Sequence, residues 1–176
     1  MRSAAVINES MPLSEVLANH RGAIVKLWFE RVLQTYPEST TKFLSREKDP
    51  IRNPVGHTLQ KGLSDLFDGL IQAIDVDSLA PVLDGIVRIR AVQDFTAGQA
   101  LAFPFLLKQI LRTEFANDIP RYYEELTALE VRIDRLAILA FELFVKCREQ
   151  VYEIKVNEIK RRSFILERAH QKEQSG

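Results

Sequence analysis

Residues Tyr122–His170 read YYEELTALEVRIDRLAILAFELFVKCREQVYEIKVNEIKRRSFILERAH, without one glycine or proline. Leu126, Leu129, Ile133, Leu136, Ala140, Leu143, Cys147, Val151 and Ile154 step by threes and fours, the spacing of one helix face. At 1.5 Å of rise per residue such a helix is on the order of 70 Å long, more than the diameter of a small domain. Its first part can pack on a globular body and its second part cannot. The second part, REQVYEIKVNEIKRRSFILERAHQKEQ, is charged and carries a thinner apolar stripe of Val151, Ile154, Ile159 and Ile165. A stripe with no domain to lie on needs a partner. The simplest solution is a homodimer through this helix, with Leu143, Cys147, Val151 and Ile154 as the contact and transmission stripe. A frayed, solvated tail beyond about Lys160 is the alternative.

The rest of the chain repeats the helical period, and runs of period two are scarce, so the expected class is all-α. A first helix opens at Pro12 or Leu13, with Ser10 as a candidate cap, and runs to the TYPEST stretch, where Pro37 ends it. Residues Glu38–Asn53 read as a linker with a short turn at TTKFL. A second helix starts at Pro54 or Val55 and reaches Ile74. A third spans about Ser78 to Phe95, and a fourth about Thr96 to Phe115. The fourth contains ALAFPFLLKQIL, apolar nearly all round, which predicts the most buried segment of the fold. Pro104 should distort that helix or break it in two. Asp118, with Pro120 after it, predicts the cap of the long last helix.

Length and composition bound the function. The 176 residues favour one domain, 1–176, with a globular part over about 11–147 and an extended helix over about 148–170. Lys plus Arg equals Asp plus Glu, 24 each, so no global field draws the chain to nucleic acid or an anionic membrane. One cysteine, Cys147, leaves no intramolecular disulfide and fits a reducing compartment. The N-terminal stretch lacks the apolar run of a secretory signal, and no run has the ~18 apolar residues of a membrane span. The expected location is the cytoplasm.

Three groups of residues invite a chemical reading. In DPIRNPVGHTL, Asp49–Leu59, two X-Pro pairs start turns and Asn53 is a natural N-cap with Pro54 at N1. That stretch reads first as a rigid helix start. Its functional reading places an anion or a partner's carboxylate on Arg52 and the free amides, with His57 in the first turn. In IVRIRAVQDFTAGQALAF, Arg88 lies four residues after Asp84, and Arg90 four before Asp94, the spacing of intrahelical ion pairs. The alternative there is a buried polar network of Arg88, Arg90, Gln93 and Asp94 lining a pocket. His20, His57 and His170 have no metal-binding spacing, so no metal site is expected. A haem needs one axial histidine and stays open as the third function class. No nucleophile elbow, P-loop or dinucleotide fingerprint is present, and the expectation is a protein that is not an enzyme. The KRR run at Lys160–Arg162 reads as a solvated face.

Three stretches together carry a resemblance: LWFERVLQTYP, then DPIRNPVGHTLQKGLSDLFDGL, then LDGIVRIRAVQDFTAGQALAFPFLLKQILR. They resemble the N-terminal domain of RsbRD-type co-antagonists of the RsbT kinase, most specifically in DPIRNPVG and IRAVQDF. The resemblance implies a globin-like helical fold that has lost haem, a dimer, no enzymatic activity and a sensory role in stress signalling. In that family a long helix leads to a phosphorylatable STAS domain, and here the sequence stops at Gly176. The expectation is thus a stand-alone regulator, an accessory subunit of a larger complex, or a piece of a longer protein. A second departure is Thr96-Ala97-Gly98 after QDF, where the family has Pro-Ser, which alters the cap of the fourth helix.

Overall fold

The computed structural model describes residues 11–47, 49–93 and 95–173, with side chains described as far as Phe164. Among the described residues the chain is all-α. The helices are α1 (Leu13–Asn19), α2 (Arg21–Leu33), α3 (Glu38–Arg46), α4 (Pro54–Ile71), α5 (Ala80–Ala91), α6 (Ala97–Ala100), α7 (Phe103–Glu114) and α8 (Tyr123–Glu173), with a 3-10 turn at Val76–Leu79 before α5. α4 lies at the centre, packed on α2, α5 and α8. α7 closes over α2, and α8 runs across α4, α5 and α7.

α4 starts as its sequence dictates. Asn53 Oδ1 accepts from the Gly56 amide at 2.8 Å, and Pro54 opens the helix. The same Asn53 amide donates to Leu44 O and Glu47 O at the end of α3, so one buried side chain caps two helices. A Cβ at Gly56 would run into that amide. Gly62 and Gly69 lie on one face of α4, and a Cβ there would meet Ile86 at 2.9 Å and Leu79 at 2.6 Å. The two glycines let α5 and the 3-10 turn approach closely. α4 is the most buried helix, with Leu59, Leu63, Leu66, Phe67 and Leu70 at or below 1% exposure. α7, expected to be the most buried, instead leaves Phe105 49% exposed.

α4 ends in a Schellman turn. Ile74 N–H donates to Gly69 O at 3.0 Å and Ala73 N–H to Leu70 O at 3.3 Å. The turn requires a left-handed residue, and Ala73 supplies it at φ 56°. Glycine takes that conformation without steric cost. Ala73→Gly is therefore expected to raise stability by about 0.5–1 kcal/mol, read as a shifted urea midpoint at constant slope.

Several boundaries differ from the sequence expectation, each for a local reason. The first helix is two: it breaks at His20 (φ −100°, ψ 5°), whose Nδ1 lies 2.8 Å from Val16 O. Ser10 lies outside the described residues. Glu38–Arg46 is a helix, not a linker, with Leu44 its buried residue. The third helix stops at Ala91, and the fourth divides into α6 and α7 with Pro104 in the first turn of α7, as its ring requires. Asp118 does not cap α8. Its carbonyl accepts from Arg121 and Tyr122 in the turns before the helix.

α8 holds the other helices by their ends. Glu125 Oε2 accepts from Leu13 N–H at the start of α1, at 2.8 Å. Arg132 donates to Leu70 O at the end of α4, and Arg148 to Ala91 O at the end of α5. Leu13 N–H and Ala91 O are groups that a helix terminus leaves without an intrahelical partner, Arg132 adds a second bond to a carbonyl that the Schellman turn already uses, and each charge has the sign its helix end favours. Arg112 of α7 grips Glu130 through two bonds of 2.6 and 2.7 Å, and Lys108 reaches Asp134 at 2.9 Å. The inner face of α8 buries Leu129, Ile133, Leu136, Ala140, Phe144 and Cys147.

Candidate functional site

Two places hold chemistry that the core does not use. The first surrounds Arg90, in the last turn of α5 and 1% exposed. The capping box of Thr96 and Gln99 turns the chain back after α5, so that the last carbonyls of α6 face the guanidinium. Nε donates to Ala100 O at 2.8 Å, and Nη2 to Gln99 O at 2.7 Å and Thr35 Oγ1 at 2.8 Å. The cation lies 4.7 Å from the centre of the Phe95 ring and 5.1 Å from that of Tyr36, and the two rings meet edge to face. Carbonyls at a helix end and two π faces thus hold a charge that in a protein interior is ordinarily paired with a carboxylate. No described carboxylate pairs with it. Burial pulls the guanidinium pKa down from its ordinary value.

Among the described residues, three buried polar atoms of this neighbourhood make no hydrogen bond of regular geometry: Arg90 Nη1, Tyr36 Oη and Gln93 Oε1. The Tyr36 hydroxyl faces both Arg90 and Gln93 without a well-formed bond to either. Burial raises its pKa, and the charge of Arg90 opposes that rise. Beside these atoms an open cleft of about 440 Å³ is lined by Tyr36, Pro37, Thr40, Gln93, Phe95 and Gln99.

The second place is the outer face of α8. Val131, Ile138, Val145, Tyr152 and Ile159 recur every seven residues, and all are exposed, from 37% to 69%. Phe141, 54% exposed, lies beside them. Residues 131 and 133, or 138 and 140, are two apart, about 200° around a helix. The exposed series is therefore on the side opposite the buried one.

The residues singled out in the sequence fall in several places. Arg52 is exposed, 3.9 Å from Asp49, and His57 is exposed on the first turn of α4. No described contact joins either to Arg90. Arg88 faces outward in an ion pair with Asp84 at 2.6 Å, the intrahelical reading of that pair. Arg90 and Gln93 come together. Asp94 lies outside the described residues, so its pairing with Arg90 does too. On α8, Cys147 is buried and Leu143 half-buried against this domain's own core, Val151 is half-buried and Ile154 is 66% exposed. The side chains of Ile165 and His170 lie outside the described residues. Sequence reading missed Thr35, Tyr36, Phe95 and Gln99 around Arg90. It also missed the outer series on α8, which the sequence carries as an exact seven-residue repeat.

A helical bundle strapped by one long helix, with a buried cation cluster and a bare outer helix face, is the class so defined. Among the described residues no group of His, Cys, Asp and Glu could hold a metal ion, and no helix is long and apolar enough to cross a membrane. The chain belongs to the family of the RsbT co-antagonist protein rsbRD N-terminal domain, whose family model matches residues 22–158. That is a sensory and regulatory domain family, linked to stress-signalling sensor proteins and not known for catalysis. Neither the curated proteins nor the solved structures gave a match.

Proposed function

We propose that the chain is a non-enzymatic regulatory input domain of the cytoplasm that works as a homodimer, with the outer face of α8 as its seam. The observation that carries this reading is the seven-residue series from Val131 to Ile159, exposed on a helix whose opposite face is already committed to the core. A seven-residue apolar repeat is the period that keeps a seam facing a second helix in a left-handed supercoil. A second copy of α8 offers the same series in the same register, as a twofold interface requires. The seam starts beside the globular body and continues onto the projecting part of α8, so a change at one end is carried along one rigid element.

The non-catalytic part of the reading rests on the family and on the make-up of the Arg90 cluster, which brings no nucleophile beside a base. The reading leaves haem out. His57 is exposed, and His20 already engages Val16 O and the edge of Phe115. A native mass spectrum at micromolar concentration is expected to show two chains per particle. A single chain would contradict the seam and favour an accessory subunit that docks on a different protein.

A further inference from the structure

We propose that a second copy of this chain packs on α7 as well as on α8, and that Phe105 of α7 forms, with Ile138, Phe141 and Val145 of α8, the apolar centre of that interface. The proposal rests on the dimer reading above and adds a second helix to its seam, so that each chain contributes two helices.

A two-stranded coil takes apolar residues at two positions in every seven. The outer series of α8, from Val131 to Ile159, supplies one. The positions three residues further on are Asp134, Phe141, Arg148, Lys155 and Arg162, and those four further on are Arg135, Glu142, Glu149, Val156 and Ser163. Of these only Phe141 and Val156 are apolar. Asp134 and Arg148 are also engaged within the chain, by Lys108 and by Ala91 O. Along the globular body, α8 alone therefore makes a narrow seam. A stable interface buries about 800 Å² on each partner, and the surface beside the seam has to supply the rest.

α7 supplies it. Arg112 binds Glu130 and Lys108 binds Asp134, so four residues back along α7 are four residues forward along α8. The two helices are antiparallel and in register. Phe105 lies three residues before Lys108 and seven before Arg112, on the same face of α7. The register sets it level with Ala137, beside Ile138 and within about a turn of Phe141. Phe105 is 49% exposed, close to the 54% of Phe141. Phe103 O, two residues earlier, accepts the Trp28 indole, so the start of α7 is fixed from the core.

None of the four patch residues is charged, and the cations on its edge, Lys108 and Arg112, are already answered by Asp134 and Glu130. A partner chosen by opposite charge finds nothing to grip there. A second copy sets the same apolar surface against it across a twofold.

The test is sedimentation equilibrium of the full chain, with circular dichroism melts, on Phe105→Gln, Phe105→Leu and the double variant Ile138→Lys with Val145→Lys. Phe105→Gln should dissociate about tenfold more readily than the parent at unchanged helical content, and Phe105→Leu, which stays apolar, should remain within about threefold of it. Phe105→Cys gives a reading apart from affinity. Maleimide should modify it about tenfold more slowly in the dimer than after dilution to single chains, since the centre of an interface is packed like an interior. Peptide mass spectrometry separates it from the buried Cys147. A dimer that the double variant breaks but Phe105→Gln leaves as tight as the parent would overturn the α7 contribution and leave the α8 seam standing. Equal maleimide rates in dimer and single chain would do the same. A parent that stays a single chain would overturn both.

Discussion

Replacing Trp28 by alanine is expected to lower the unfolding free energy by about 3–5 kcal/mol, the cost of emptying the space of a large aromatic side chain in a packed core. Trp28 is fully buried in α2, and its indole Nε1 donates to Phe103 O at 2.7 Å, in the first turn of α7. It fills the interface between α2 and α7, and its bond fixes where α7 starts. Phe103 is equally closed in, and close packing leaves it little room to collapse into the gap. For a chain of this length each kcal/mol moves the melting temperature by roughly 2–4 °C, so a drop of about 6–20 °C follows. Trp28→Phe keeps most of the packing and loses the bond, and should cost about 1–2 kcal/mol. Circular dichroism reads both variants, since the substitution removes the single tryptophan. A loss under about 1 kcal/mol for the alanine variant would mean that α2 and α7 are not held through this side chain.

Helix type was written throughout the sequence, and so were the boundaries that prolines make. Asn53-Pro54 starts α4, and Pro104 starts α7, because a ring without an N–H fits a first turn and little else. Boundaries made by side-chain contacts were not legible. The break at His20 interrupts an apolar spacing that reads as continuous, and it exists because the chain turns there to lay α2 against α7. α3 was passed over because Leu44 is its one buried residue and it contains two threonines, so it shows no apolar stripe. Asp118 resembles a cap, yet its backbone is used in turns that bring the Tyr122 hydroxyl to Met11 O.

The site divides in the same way. Arg90 stood out as a charge in an apolar helix. Its surroundings did not, since Tyr36 is more than fifty positions away in sequence and reaches it only through the packing of α2 near α5. On α8 the strong inward stripe hid the outward one. The continuation through Cys147 and Val151 belongs to the core face. The outer series is sparser, one apolar residue per seven, and its meaning depends on knowing which face the core has already taken.

The double substitution Ile138→Lys with Val145→Lys has the largest expected effect on assembly. Both side chains are exposed in the single chain, 62% and 37%, so lysine there leaves the core untouched and the fold intact. At a twofold seam the change places four like charges against one another and removes apolar surface from its middle. Like charges across an interface cost several kcal/mol, and about 2.7 kcal/mol is a hundredfold in dissociation constant. A control at Ile51, 89% exposed and far from α8 in the chain, should leave assembly as it was.

Sedimentation equilibrium of the parent and the double variant, with thermal melts of both, tests the seam most directly. The expected result is a dimeric parent and a variant that dissociates at least a hundredfold more readily, with its helical content unchanged. A variant that remains as dimeric as the parent would contradict the assignment of the outer face of α8 as the working interface.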